Sequence, residues 1–150
     1  MKKNLLLLFL VSSLTAFSQT TVKQPKKSMT DLGINLGTSL DNLGGFSSGV
    51  DIRFIPISTQ KISWTVTPGF TYFNKRNGGF IILKSGIMLP ITDRFYVSGE
   101  TGIGFFTEGG ESFILSPGIG TSSKNLNFSL RYERFSSYTS QLAFRLGIGL

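Results

Sequence analysis

A chain of 150 residues is long enough for one domain with a core of its own. It contains no cysteine and no histidine, which excludes a disulfide framework, a thiolate metal site, acylation of an N-terminal cysteine and the commonest general base. The formal charge is +7, but the basic residues are mostly dispersed along the chain, and a nucleic-acid partner is not expected.

The chain opens on Met1-Lys2-Lys3, followed by an unbroken apolar run from Leu5 to Val11 and then small and polar residues through Ala16-Phe17-Ser18. This is the layout of a secretory signal, with the cut expected between Ser18 and Gln19. The apolar run is much shorter than the ~20 residues that a spanning helix needs. Loss of Lys2 and Lys3 with the signal lowers the formal charge from +7 to +5. Residues 19–30 then form a polar leader, with a proline and the cluster Lys23, Lys26 and Lys27, expected to be flexible. Export is a second reason to set nucleic acid aside.

From Asp31 to Leu150 the apolar residues recur with a period of two, which predicts strands rather than helices. The first segment is marked by Leu32, Ile34 and Leu36, and the second by Val50, Ile52 and Phe54. The third runs through Ile62, Trp64, Val66, Phe70 and Tyr72. The fourth carries Ile81, Leu83, Ile87 and Leu89, although "FIIL" (80–83) is apolar at every position and blurs its phase. The fifth holds Phe95, Val97, Ile103 and Phe105, and the sixth Phe113, Leu115 and Ile119. The seventh holds Leu126, Phe128, Leu130 and Tyr132. The eighth is the cleanest, with Leu142, Phe144, Leu146, Ile148 and Leu150 on one face. Pro68 and Pro117, each followed by glycine, fall inside strands three and six, where a bulge is expected.

Two kinds of connection alternate. "NLGGF", "NKRNGG" and "TEGGES" carry Gly-Gly pairs at 44–45, 78–79 and 109–110, whereas "PISTQK", "PITDR" and "SSKN" are tight turns of ordinary turn residues. The connection "SSYTS" falls at the Gly-Gly end without the glycines. The pattern predicts an all-β, eight-stranded antiparallel up-and-down barrel over residues 31–150.

Alternation leaves open which face points outward, because a soluble lipocalin-like barrel and a transmembrane barrel share the period and differ in sign. The apolar phase holds no charge except Arg134. The opposite phase holds Asp51, Arg53, Lys84, Glu100, Arg131, Glu133 and Arg145, nearly balanced in sign, as for a network that pairs within a lumen. Eleven of the eighteen glycines share that phase and would make room there for long side chains. Aromatics also gather toward the ends: Phe46, Tyr72, Phe73, Phe105, Phe106, Phe113 and Tyr138 near the Gly-Gly loops, and Phe54, Trp64, Phe95, Tyr96 and Phe128 near the tight turns. Two such bands are what the interfaces of a bilayer select. The expectation is therefore apolar outside and charged inside. The glycine-rich "GETGIGFFTEGG" (99–110) reads as a strand in this frame, because nothing helical follows to offer a phosphate its N-terminus.

The "AFSQ" signal end, the strand pattern "LPITDRFYVSGETGIGF" and the alternating segment from Leu142 to Leu150 resemble the small outer-membrane β-barrels of the OmpA/OmpX-type membrane domain, in the form common among Bacteroidetes-like bacteria. Such barrels usually end on an aromatic residue read by the insertion machinery, and here Leu150 stands in its place. The resemblance implies a transmembrane barrel in the cell outer membrane with a structural or envelope-maintenance role. It also implies contact with outer-membrane lipid and lipopolysaccharide, use of the insertion machinery, and a monomeric state. Lys75 and Arg76 are the expected lipopolysaccharide contacts. No cofactor, metal or catalytic residue is expected. A barrel enzyme would have to draw on Glu108 and Glu111 beside Ser112, a grouping that reads more simply as loop solvation, and the other alternative is a secreted soluble barrel with an apolar ligand. Hairpin arithmetic about "ITDR" places Lys84 opposite Glu100, and Arg131, Glu133 and Arg145 are expected to cluster.

Overall fold

The computed structural model describes residues 30–41, 45–56, 58, 61–136 and 139–150, the side chain of Arg76 excepted. The expected signal, most of the expected leader, Gly44 and Tyr138 lie outside these residues. Eight strands follow in chain order: β1 (Thr30–Ser39), β2 (Phe46–Phe54), β3 (Ser63–Phe73), β4 (Gly78–Pro90), β5 (Phe95–Phe106), β6 (Glu111–Ser123), β7 (Leu126–Phe135) and β8 (Thr139–Gly149). Each pairs antiparallel with the next, and β8 returns to β1 from Asp31↔Gly149 to Ser39↔Gln141, so the sheet closes. Closure satisfies the edge groups that an open sheet would expose. Thr30, assigned to the leader, is already the first residue of β1.

The period-two pattern maps onto the two faces of this sheet. In β1, Asp31, Gly33, Asn35 and Gly37 are buried while Leu32, Ile34 and Leu36 are exposed. In β7, Asn127, Ser129, Arg131, Glu133 and Phe135 are buried, and Leu126, Phe128, Leu130, Tyr132 and Arg134 are exposed. The same sign holds around the barrel, with Ile81, Leu83, Ile103, Phe113, Ile119 and Ile148 among the exposed apolar side chains. A soluble barrel with an apolar interior requires the reverse, so that alternative is set aside.

The prolines behave differently from expectation. Across β2 and β3 the pairs Asp51↔Gly69 and Phe54↔Val66 keep one register, and only the two positions facing Pro68 and Thr67 are skipped. Likewise Leu115↔Arg134 and Gly118↔Arg131 keep one register on either side of Pro117. No extra residue is inserted, so neither site is a bulge. A proline removes one donor, and here the ladder opens locally toward one neighbour while the other neighbour stays paired, as Pro68↔Leu83 and Gly99↔Pro117.

The connections are also more varied than their glycines suggest. Gly109 and Gly110, at φ +100° and +107°, form the turn after β5. Gly78 and Gly79 instead lie inside β4, where side chains would collide with the rings of Phe106 and Phe70. The reversal before them is a single 3-10 turn, Asn74–Arg76, ended by Asn77 in the left-handed region. At the opposite end, the Thr92 hydroxyl accepts hydrogen bonds from the backbone N–H groups of Arg94 and Phe95, at 3.3 and 3.0 Å, fixing the β4–β5 turn.

Candidate functional site

The barrel interior gathers the chemistry-bearing residues, because alternate positions of all eight strands point into one narrow space. Asp51 and Arg53 come from β2, Lys84 from β4, Glu100 from β5, Arg131 and Glu133 from β7, and Arg145 from β8; all are buried. A buried charge needs a partner and further hydrogen bonds, or its desolvation goes uncompensated. The Lys84 Nζ lies 2.6 Å from Glu133 Oε1, and Gln141 Nε2 donates to the other Glu133 oxygen at 2.6 Å. The Ser116 hydroxyl also donates to Glu133, at 3.3 Å. Glu100 sits among three cations at longer range, with Arg53 at 3.7 Å and Lys84 and Arg131 each at 3.8 Å. Its Oε1 accepts from the hydroxyls of Thr65 and Thr67 at 3.0 and 2.8 Å.

Two details differ from expectation. Lys84 pairs in register with Gly102, and Glu100 with Gly86, so Lys84 and Glu100 are diagonal rather than directly opposed. The glycine facing each long side chain leaves it free to reach across the lumen instead of along the hairpin. Arg145, expected beside Glu133, turns the other way. Its Nε donates to Asp51 Oδ1 at 2.7 Å, and its Nη2 pairs with both Asp51 and Asp31. Arg131 bridges the two halves, 3.5 Å from Asp51, 3.7 Å from Glu133 and hydrogen-bonded to Asn35, which in turn donates to Asp51 at 2.9 Å.

Asp31 is the member that sequence reasoning missed. It is the first residue of the expected barrel and already shares the lumen phase of Gly33. Including it gives four cations (Arg53, Lys84, Arg131, Arg145) against four carboxylates (Asp31, Asp51, Glu100, Glu133), a formally neutral interior.

Above this layer, toward the Gly-Gly end, the lumen changes character. Phe73, Phe80, Ile82, Ile114 and Phe135 form a buried apolar cluster, with Phe106 packed against it. Phe73 meets Phe80 and Phe135 edge-on, with ring centroids 5.9 and 5.4 Å apart. The sequence signal was present in "FIIL", where Phe80 and Ile82 point in and Ile81 and Leu83 point out. Phe73 and Tyr96, counted with the aromatic bands, are instead 4 % exposed and face the lumen, while half-buried Phe106 packs against the same cluster. In the doublets Tyr72-Phe73, Phe105-Phe106 and Phe95-Tyr96 one ring faces out and the next turns inward, as the pleat requires. The outward bands are therefore Phe46, Tyr72, Phe105 and Phe113 at one end, and Phe54, Trp64, Phe95 and Phe128 at the other. Toward the tight turns, Tyr96 donates to Asn127 at 2.6 Å, and Met88 on β4 and Ile55 just after β2 are also buried.

Such an interior is formally neutral. Among the described residues no group of three or more His, Asp or Glu is placed to hold a metal ion. Glu111 and Ser112 lie on opposite faces of β6, with Glu111 exposed and the Ser112 hydroxyl donating to the carbonyl of Phe113 at 3.3 Å. Glu108 is exposed in the preceding turn. Lys75 is exposed on the 3-10 turn beside Arg76.

No known protein family matches the chain, and no curated protein sequence does. Solved structures do share its architecture. A designed transmembrane β-barrel is 14 % identical over 85 % of this chain and 99 % of its own, with a TM-score of 0.68. The Yersinia pestis outer-membrane protein Ail, determined in a phospholipid bilayer nanodisc, is 9 % identical over 83 % of this chain and 100 % of its own, with a TM-score of 0.54. A second designed barrel, TMB2.3, is 17 % identical over 85 % of this chain and 97 % of its own, with a TM-score of 0.55. At these identities the likeness is one of fold: a closed eight-stranded barrel of the transmembrane type.

Proposed function

We propose that the chain is an integral outer-membrane β-barrel protein with a structural, envelope-maintaining role and a lumen closed by its own side chains. The observation that carries this reading is the inverted polarity of the barrel, with apolar side chains outward on every strand and eight charged groups buried within. In water such a surface is an aggregation liability. In hydrocarbon it is well solvated, and closure leaves no backbone group unpaired at an edge. Strands of 9 to 13 residues have the reach to cross a bilayer at a tilt.

The finer parts of the reading rest on the sequence. Kinship with OmpA/OmpX-type barrels is supported by the strand pattern from Leu89 to Phe105. Export through a signal cleaved after Ser18 is supported by the composition of residues 1–18. Recognition by the outer-membrane insertion machinery would use the alternating face of β8. The protein is taken to act as a monomer without catalytic activity. Both termini are assigned to the periplasm, which turns Lys75 and Arg76 toward lipopolysaccharide phosphates.

Envelope fractionation tests the reading. The protein should sediment with the outer membrane, resist urea extraction and be released by detergent. It should also migrate faster on a gel when unboiled than when boiled. Recovery in the soluble periplasmic fraction contradicts the proposal.

A further inference from the structure

Arg53 is the anomaly of the lumen. It is fully buried, yet its guanidinium hydrogen-bonds to no oxygen among the described residues. Its nearest partners are the Met88 sulfur, 3.9 Å from Nη1, and Glu100 Oε1, 3.7 Å from Nε. Asp31 stands directly opposite it in the β1–β2 register but pairs with Arg145 instead. A guanidinium carries only donors, and a buried charge is ordinarily both paired and hydrogen-bonded.

The surroundings share the shortage of acceptors. Arg131 Nε and Nη1, Arg145 Nη1, Asn127 Nδ2 and the hydroxyls of Ser98 and Ser129 are likewise buried without a hydrogen-bond partner. Against them stands a single unmet acceptor among the described residues, Glu100 Oε2. The other carboxylates are committed elsewhere. Asp31 and Asp51 both face Arg145, and Glu133 accepts from Lys84, Gln141 and Ser116. That leaves Glu100 to Arg53 and Arg131, at 3.7 and 3.8 Å, with its Oε1 already accepting from Thr65 and Thr67. Ser98, which precedes Glu100 in the lumen phase of β5, pairs in register with Met88 on β4 and Gly118 on β6. A side chain at Gly118 would meet both Ser98 Oγ and Arg131 Cγ. The Ser98 hydroxyl thus neighbours Arg131 across Gly118 and Arg53 across Met88.

Water could accept from these groups, but it brings donors of its own and passes the shortage on. A halide accepts without donating, and it offsets the local excess of two cations over one carboxylate. We propose that this part of the lumen binds one small monovalent anion of the halide class, held by Arg53, Arg131 and the Ser98 hydroxyl. Entry is from the short-turn end, where a cavity opens between Asp31, Lys124 and Asn127. The inference needs only the closed lumen and goes beyond the assignment to an outer membrane.

Bromide stands in for chloride and scatters anomalously. Crystals grown from a lipidic mesophase in sodium bromide should show an anomalous peak within hydrogen-bond reach of the Arg53 guanidinium. In vesicles at constant ionic strength, chloride is exchanged for gluconate and the protein is unfolded with urea. One anion bound to the folded state alone makes the unfolding constant fall about tenfold for each tenfold rise in chloride above saturation. Arg53→Gln should abolish this dependence. Ser98→Ala, which keeps every charge, should move its onset to higher chloride and serves where Arg53→Gln does not fold. Arg94→Gln, in an exposed turn, should leave the dependence intact. Bromide found on the surface and not in the lumen, an adventitious ion only, overturns the proposal. So does an unfolding constant indifferent to chloride, a dependence that Arg53→Gln and Ser98→Ala both retain unchanged, or one that Arg94→Gln removes.

Discussion

Lys84 on β4 and Glu133 on β7 meet across the lumen, with 2.6 Å between Nζ and Oε1, although three strand pairings separate them around the barrel wall. Glu100, on the strand beside Lys84, lies 3.8 Å from the same Nζ. The cross-lumen contact should therefore be the stronger one. Double-mutant cycles measured by unfolding in lipid vesicles, Lys84→Met with Glu133→Gln and Lys84→Met with Glu100→Gln, compare the two. Coupling above ~1 kcal/mol is expected for Glu133 and a smaller value for Glu100. The reverse order would mean that Lys84 follows the hairpin rather than crossing the barrel.

The aromatic cluster above the charges is predicted to hold that end of the lumen together by packing. Phe80 is fully buried and stacks against Phe106 and Phe135, with centroids 5.0 and 4.9 Å apart. Phe80→Ala should cost ~3–5 kcal/mol through the cavity it leaves. Phe106→Ala, at the margin of the cluster, should cost less. Equal and small losses at both positions would show that the cluster is not close-packed.

Leu130 is 42 % exposed while its neighbour Ser129 is buried in the lumen. With lipid outside, Leu130→Arg should destabilise the folded barrel by ~2–4 kcal/mol, whereas Leu130→Phe should have little effect. Urea titrations of the two variants in vesicles give the comparison. A harmless arginine at this position would place Leu130 in water.

Orientation is tested with protease sites in the two kinds of turn. A site inserted between Gly109 and Gly110 should be cut in intact cells, and one between Lys124 and Asn125 only after the outer membrane is permeabilised. The opposite pattern would reverse the topology.

The strand content and the sign of the faces were legible in the chain because the pleat imposes a period of two, and Leu142 to Leu150 keeps it without interruption. What one strand's pattern cannot specify is register. A shift of two residues preserves every side chain's face, so Lys84 opposite Glu100 and Lys84 opposite Gly102 look alike in sequence. The partners of Arg145 are hidden for a related reason: Asp31 and Asp51, on β1 and β2, reach it through the closure of β1 on β8, a contact between the first and last strands of the chain. Nearness to a strand end does not tell the two rings of an aromatic doublet apart; only phase does, and it turns Phe73 and Tyr96 inward beside Tyr72 and Phe95. Asp31 has the lumen phase of Gly33, but it precedes Leu32, the first apolar residue that marks the phase, so no neighbour before it reveals its face.

Outward lipid and an enclosed polar lumen are tested most directly along β7. The chain has no cysteine of its own, so single cysteines at Asn127, Phe128, Ser129 and Leu130 can each carry a nitroxide label in vesicle-embedded protein. Oxygen, concentrated in hydrocarbon, should relax the labels at Phe128 and Leu130 strongly and those at Asn127 and Ser129 weakly. A water-soluble nickel chelate should favour neither Phe128 nor Leu130. Uniform oxygen access along the four positions, or nickel access at Phe128 and Leu130, would contradict a barrel that faces lipid with its apolar side.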